Sequence, residues 1–249
     1  MCDEGYYYSY VACYCDDLAV VHKDPDNVFD SIRGKSFTIK EKYATEYFLG
    51  GDFDCVKEPK SRSNILTSVS KTYAKLMMDN FNINFGFEPS KQHTDMPPNY
   101  KPDIDITDLY NDADKARYCQ CIGDMQWDLS LGRINIMYAT DVLSRFRPTP
   151  YKGHLAKIQN IYCYLNKYTS ASIKLNTEMP IYDDFKNISK NLGNMYYGKP
   201  EELPHLCPNP MGNLVLISRF VHDKIMDDLT TGRSQTGIIH LHNNTHIEW

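Results

Sequence analysis

The sequence predicts an α+β fold, and three observations carry that expectation. Near the start, the apolar runs Tyr6–Cys13 and Leu18–Val21 are rich in Tyr, Val and Ala and read as two short strands. In the middle, apolar residues recur at helical spacing in three successive stretches between Tyr118 and Leu165. Toward the end, Leu214–Val221 alternates apolar and polar, and Ile238–His242 and Thr245–Trp249 flank Asn243-Asn244, a favoured turn pair.

The chain has 249 residues, enough for one or two domains and a sizeable core. Hydrophobic residues make up 42% and charged residues 24%, the balance of an ordinary soluble globular protein. No apolar run approaches the ~20 residues of a membrane-spanning helix. Met1-Cys2-Asp3-Glu4-Gly5 is acidic and lacks the basic start of a secretory signal. These features predict an intracellular, cytoplasmic protein with no signal peptide, no transmembrane segment and no membrane partner. The eight cysteines, at 2, 13, 15, 55, 119, 121, 163 and 207, form no CxxC pair. They are expected to be reduced and mostly buried. Cys119 and Cys121, two apart on a predicted helix, point to different faces. A net charge of −5 counts against a free-standing nucleic-acid binder. Lys57, Lys60 and Arg62, then Arg145 and Arg147, then Lys152, His154 and Lys157 form local basic groups, each read most simply as a solvated face.

The stretch with the most chemical content is Tyr14-Cys15-Asp16-Asp17, between the first two predicted strands. A hairpin there presents the Asp16 and Asp17 carboxylates at one tip. Such a pair can hold Mg²⁺, a hard cation that takes oxygen ligands and keeps substrate phosphates in its shell. Two such ions about 3.5–4 Å apart stabilise the attacking and leaving oxygens of a nucleotidyl transfer. The plainer reading of the same residues is a turn, where Asp is common because its side chain bonds nearby amides.

Further along, Asp24-Pro25-Asp26-Asn27 starts a short helix with Val28, Phe29 and Ile32 on one face, and Gly34 ends it. Phe37-Thr38-Ile39 is a candidate strand. Tyr47–Phe53 is an aromatic run broken by Gly50-Gly51, which predicts a bulged hairpin or a close backbone approach. Ser61–Thr67 reads as a strand, and Val69, Tyr73, Leu76, Met77 and Phe81 as a helical stripe. Gly86–Asp105, with Pro89, Pro97, Pro98 and Pro102, reads as a linker. Three helices follow, with faces Tyr118, Ile122, Met125, Leu129; Met137, Tyr138, Val142, Phe146; and Leu155, Ile158, Ile161, Tyr162, Leu165. Gly123 is expected to allow close packing, and Pro148 and Pro150 to stop the second helix. Short links favour a small antiparallel bundle. Ala171–Leu175 reads as a strand. Residues 176–212 carry no strong pattern. His240, His242 and His246 could suggest a metal site, but no carboxylate or cysteine completes a tetrahedral set, and an exposed hairpin face is the preferred reading.

Taken in order, Tyr14-Cys15-Asp16-Asp17, Tyr47–Phe53 with its glycine pair, Gly132-Arg133-Ile134-Asn135-Ile136, Leu143-Ser144-Arg145-Phe146, His154 and Tyr164-Leu165 resemble the reverse transcriptase of copia-type LTR retrotransposons. The resemblance runs from about Tyr10 to Trp249. It implies an RNA-directed DNA polymerase, a nucleotidyltransferase cut from a Pol polyprotein of a transposable element. The implied organisation is a partial palm hairpin and start of the thumb over 1–88, a helical thumb and connection block over 89–175, a linker over 176–213 and a truncated RNase H-like segment over 214–249. Asp16 and Asp17 take the role of catalytic, Mg²⁺-binding residues. Tyr14 is placed beside the nucleotide or template–primer, and Gly50 and Gly51 at the primer grip. The implied partners are an RNA/DNA template–primer, a deoxynucleoside triphosphate and an N-terminal half of the polymerase.

The family's usual Arg-Pro-Asp-Ile is represented by Arg133-Ile134-Asn135-Ile136. Arg233-Ser234-Gln235-Thr236-Gly237, followed by a strand, a turn and a Trp, resembles the opening of the RNase H domain. The position matching its first metal-binding Asp is His222, with Asp223 on the opposite strand face, so no RNase H activity is expected. A polymerase of this type also needs an Asp on a strand upstream of the hairpin, and Asp3 and Glu4 lack the matching context. This chain alone is therefore expected to be inactive. The second reading is a catalytically dead retroelement remnant, at most a non-enzymatic interaction module.

Overall fold

Strand-forming aromatics, glycine turns and three amphipathic stripes account for most of the elements in the computed structural model, which describes residues 2–3, 7–35, 37–40, 46–57, 64–98, 100–176, 217–224, 232–243 and 245–248. The architecture is mixed helix and antiparallel sheet, as the sequence predicts. The chain divides into two compact units, Met1–Tyr43 with Thr177–Ile217 and His242–Asn244, and Ala44–Asn176 with Ser218–Leu241 and Thr245–Trp249.

In the first unit, β1 (Cys2–Asp3) pairs with β2 (Tyr7–Tyr8). β3 (Tyr10–Tyr14) pairs antiparallel with β4 (Asp17–Val21), with Tyr10 opposite Val21 and Tyr14 opposite Asp17. Helix α1 (Pro25–Arg33) begins and ends where Asp24, Pro25 and Gly34 require. Its Val28, Phe29 and Ile32 are half-buried, on one face as expected. Residues 37–40 form no strand, and Phe37 is 65% exposed. Two apolar residues without a paired ladder gain too little to hold a strand.

The second unit begins with β5 (Tyr47–Phe48), β6 (Gly51–Lys57) and β7 (Asn64–Val69), which form an antiparallel sheet with β8 (Ser172–Leu175) in the order β5–β6–β7–β8. Gly50 does not bulge a strand. Leu49 and Gly50, at φ 51° and 88°, form a two-residue turn with both angles positive, the type that matches strand twist.

Helix α2 (Lys71–Phe85) follows β7 directly. Its N-cap, Ser70, spends its hydroxyl on Asp128. Asp52 caps the helix instead, accepting from the Thr72 amide at 2.8 Å and the Thr72 hydroxyl at 2.6 Å. Ala74, Met77 and Phe81 form the buried stripe. Leu76, expected on it, is 52% exposed, and Val69 belongs to β7.

The expected linker, residues 86–105, is largely irregular but packs closely. Pro89 and Pro102 are buried, Met96 and Tyr100 pack on the core, and Asn166 donates to the Pro89 carbonyl at 2.7 Å. It ends in a 3₁₀ turn, Pro102–Ile104. Helices α3 (Asp112–Ser130), α4 (Met137–Ser144) and α5 (Lys152–Lys167) are the three predicted helices. With α2 they make a four-helix core.

In α5 all five predicted stripe residues are buried, each contributing about 1.5–3 kcal/mol relative to exposure. The Phe81 ring lies 4.9 Å from Tyr162 and 4.5 Å from Phe85. The inward face of α4 differs from the expected one. Ile136, Ala139, Val142 and Leu143 are buried, whereas Tyr138 is 50% exposed. Gly123 faces open space rather than a packed neighbour.

Beyond residue 216, β9 (Ile217–Lys224), β10 (Gln235–His242) and β11 (Thr245–Glu248) form a three-stranded sheet in the order β11–β10–β9. The predicted turn holds Asn243 at φ 52°. Among the described residues, no helix is long and apolar enough to cross a membrane. The expected linker over 176–213 lies outside the described residues, apart from Asn176. The expectation of mostly buried thiols is corrected. Cys13, Cys15 and Cys55 are exposed, Cys119 is half-buried, and Cys121 and Cys163 are buried. Cys13 and Cys15 lie on and just beyond β3 of the two-stranded hairpin, and Cys55 lies on β6.

Candidate functional site

β3 and β4 support a two-residue turn at Cys15 and Asp16, one residue earlier than the acidic pair suggests. Asp16 is the second turn residue, and Asp17 opens β4 opposite Tyr14. The ladder therefore fixes the backbone of Tyr14 and Asp17 and leaves Asp16 at the apex. Both carboxylates are exposed, and Tyr14 is 60% exposed beside them. The two Asp side chains supply hard oxygen donors from consecutive positions. Among the described residues, no group of three or more His, Cys, Asp or Glu could hold a metal ion. The tip carries two exposed carboxylates, one on the turn and one at the start of β4.

Gly50 and Gly51 lie in the other compact unit, on the β5–β6 turn. A Cβ on Gly50 would sit 3.3 Å from Leu131 Cδ2 and 3.4 Å from Trp127 Nε1. The close backbone approach expected at these glycines is therefore made to the end of α3. Gly51 is buried, and its bare face lies toward the Phe48 carbonyl and the Ser68 hydroxyl.

The basic groups have partners within the protein. Arg145 pairs with Asp141 at 3.2 Å, Lys152 with Asp108 at 2.8 Å, and Arg147 Nε donates to the Ser144 carbonyl at 3.2 Å. Lys157 Nζ stands 4.9 Å from the Tyr100 ring centre. The Lys57 side chain, Lys60 and Arg62 lie outside the described residues. His222 and Asp223 are exposed on β9. With Arg145, Arg233, Phe220 and Tyr138, His222 lines a cleft of about 1700 Å³ in the second unit, wider than the ~300–1,000 Å³ of ordinary small-molecule pockets.

Sequence reasoning missed a buried polar cluster. Ser70, Asp128 and Arg133 are each at most 1% exposed. Ser70 Oγ donates to Asp128 Oδ1 at 2.6 Å, and Arg133 Nη1 to the Tyr168 carbonyl at 2.6 Å. Asp128 Oδ2 and Arg133 Nε and Nη2 are buried without a hydrogen-bond partner among the described residues. Burial raises the Asp128 carboxyl above its usual range, opposed by the Ser70 hydrogen bond and the Arg133 charge. Burial likewise pulls the Arg133 guanidinium down, opposed by Asp128. These groups tie α2, α3 and the end of α5 together. The only signal in the sequence was Arg133 itself.

A second cluster surrounds His154, which is fully buried. Its Nδ1 accepts from the Tyr151 amide at 3.2 Å. Its Nε2 lies 3.0 Å from the Pro102 carbonyl and must carry the proton there. The neutral imidazole satisfies both bonds. Asp105 Oδ1 accepts from the Thr107 amide and hydroxyl, and Thr107 Oγ1 accepts from the Gly153 amide at 2.9 Å. The chain of bonds caps α5.

Burial, the largest influence, lowers the His154 pKa below its ordinary value, against the Pro102 bond and the Asp105 and Asp103 charges. The folded state then binds fewer protons at His154 than the unfolded chain. Its stabilising contribution is complete above the unfolded value of about 6.5 and is lost as pH falls below it. Urea unfolding between pH 7.5 and 5.5 is expected to show a loss of up to ~1.4 kcal/mol per pH unit, absent in His154→Gln.

No family model matches this chain, and no curated protein or solved structure matches it significantly.

Proposed function

We propose that this chain carries the metal-binding hairpin and the thumb of a copia-type reverse transcriptase, followed by RNase H-like strands. The observation that carries the reading is the tight hairpin that exposes Asp16 and Asp17 beside Tyr14. Asp16 and Asp17 hold Mg²⁺ through carboxylate oxygens, and the ion supplies charge stabilisation for nucleotidyl transfer when bound. Tyr14, rigid at the end of β3, presents its ring beside the carboxylates as a stacking surface for a base. The β3–β4 ladder sets Asp17 opposite Tyr14, and Asp16 lies on the turn between them. The four-helix core supports the thumb assignment by its order after strands β5, β6 and β7. The partners in this reading are an RNA/DNA template–primer, a deoxynucleoside triphosphate and the upstream part of the polymerase.

The reading is tested on the chain itself by its cation chemistry. Mn²⁺, a paramagnetic substitute for Mg²⁺, is expected to broaden the amide resonances of residues 14–18 selectively, at millimolar concentration. The broadening is lost in Asp16→Asn and Asp17→Asn. Broadening spread evenly over the surface acids, or unchanged in both variants, contradicts it.

A further inference from the structure

The β11–β10–β9 sheet has one occupied side and one open side. At β11, Thr245 Oγ1 donates to the Asn176 carbonyl at 2.8 Å, next to the end of β8. β9 stands at the other edge, and no described strand pairs with its outer side. Its side chains are uncovered as well. Ile217, Phe220 and Val221 are 65%, 52% and 55% exposed, and Arg219, His222 and Asp223 are exposed beside them. Phe220, Val221 and His222 border the wide cleft, so open space lies next to them. A long edge strand with apolar side chains presents a row of unpaired N–H and C=O groups, a template for a further strand.

Charges on an edge ordinarily discourage pairing, but those on β9 are of opposite sign and symmetrically placed. Arg219 and Asp223 lie two residues to either side of Val221, on the same strand face as Val221. Neither makes an ion pair among the described residues. When two identical strands pair about a two-fold axis, residue i of one faces residue j of the other, and j faces i. An axis through Val221 sets Arg219 opposite Asp223 of the second copy, twice, and Phe220 opposite His222, twice. Val221 then faces itself. Directly opposed side chains have Cβ atoms about 4.5–5.5 Å apart, within reach of an ion pair or a ring contact. Moving the axis by half a residue sets Arg219 opposite His222 and Asp223 opposite Ser218, and both ion pairs are lost. The exposed strands of the first hairpin hold no such match, because β3 has no charged residue and β4 only Asp17.

We propose that β9 is a self-association edge, on which a second copy of this chain pairs antiparallel about a two-fold axis through Val221. The two three-stranded sheets become one sheet of six. Main-chain hydrogen bonds supply the affinity. The Arg219–Asp223 pairs select the register and reject an in-register parallel pairing, in which each charge would face its own kind. The contact is smaller than a standard interface, so the dimer forms at about 10–100 µM chain rather than at nanomolar concentration. The inference goes beyond the polymerase reading and does not rest on it.

Sedimentation equilibrium of the full chain across that range is expected to show a monomer–dimer equilibrium. Arg219→Glu and Asp223→Arg each set like charges opposite one another at two places and weaken the dimer by about tenfold or more. The double variant Arg219→Glu/Asp223→Arg restores it, and so does an equimolar mixture of the two single variants. All these positions are exposed, and unchanged circular dichroism shows that a lost dimer is not a lost fold. The register is read separately. Under mild oxidation, Val221→Cys gives a disulfide between the two copies of position 221, mapped by mass spectrometry, and Phe220→Cys does not. A chain that stays monomeric, dimers that the single variants leave unchanged, a double variant as weak as either single, or open-ended oligomers overturns the proposal.

Discussion

Arg133→Met lowers the free energy of unfolding by about 3–5 kcal/mol, read from urea or thermal denaturation. Arg133 is the largest fully buried side chain described in the protein, and methionine fills much of its stem. The loss comes from what is left behind. Asp128 keeps a buried carboxylate with Ser70 as its hydrogen-bond donor and no compensating charge, and the Tyr168 carbonyl loses its donor. Asp128 and Arg133 offset each other's charge without a direct ion pair, and removing one of two opposite buried charges leaves the other uncompensated. The double variant Arg133→Met/Asp128→Asn therefore recovers part of the loss, because the amide keeps an acceptor for Ser70 without the charge. Equal losses in the single and double variants would show that packing alone is responsible.

Gly153→Ala destabilises the chain by about 2–3 kcal/mol, although alanine in a helix is ordinarily favoured over glycine by roughly 0.5–1 kcal/mol. The sign is set by Asp105. An added Cβ would lie 1.9 Å from its Oδ2, so the carboxylate must leave. Its departure removes the acceptor of the Thr107 amide and hydroxyl and, through Thr107, disturbs the bond to the first turn of α5. His154, one residue on, loses its neighbouring carboxylate, 4.0 Å from Nε2. In an Asp105→Ala background the same substitution becomes nearly neutral, and a double-mutant cycle measures the difference.

The parts of the fold legible in the sequence are those whose signal is local. The α5 stripe is periodic over about three turns, and Asp24, Pro25 and Gly34 mark both ends of α1 within a few residues. The inward face of α4 was not legible in this way. Met137 and Tyr138 are apolar enough to suggest a core face, but small Ala139 and the preceding Ile136 are what pack against α3 and α5. The polar cluster was illegible because Ser70 and Tyr168 are far in the chain from Asp128 and Arg133. Each looks like a surface residue until tertiary packing joins them. At the candidate site, the order of residues gave the hairpin and its acids. Backbone geometry then shifted the turn to Cys15-Asp16, and the φ of 51° at Cys15 has no signature in the sequence.

The central claim is that Asp16 and Asp17 belong to a nucleotidyl-transfer site. It is tested most directly by RNA-templated primer extension with the full translation product of the transcript that carries this chain. The account predicts Mg²⁺-dependent incorporation of deoxynucleotides that falls about a thousandfold in Asp16→Asn, the loss of roughly 4 kcal/mol of transition-state stabilisation. Extension that survives Asp16→Asn, or no extension from a folded full-length product, contradicts it.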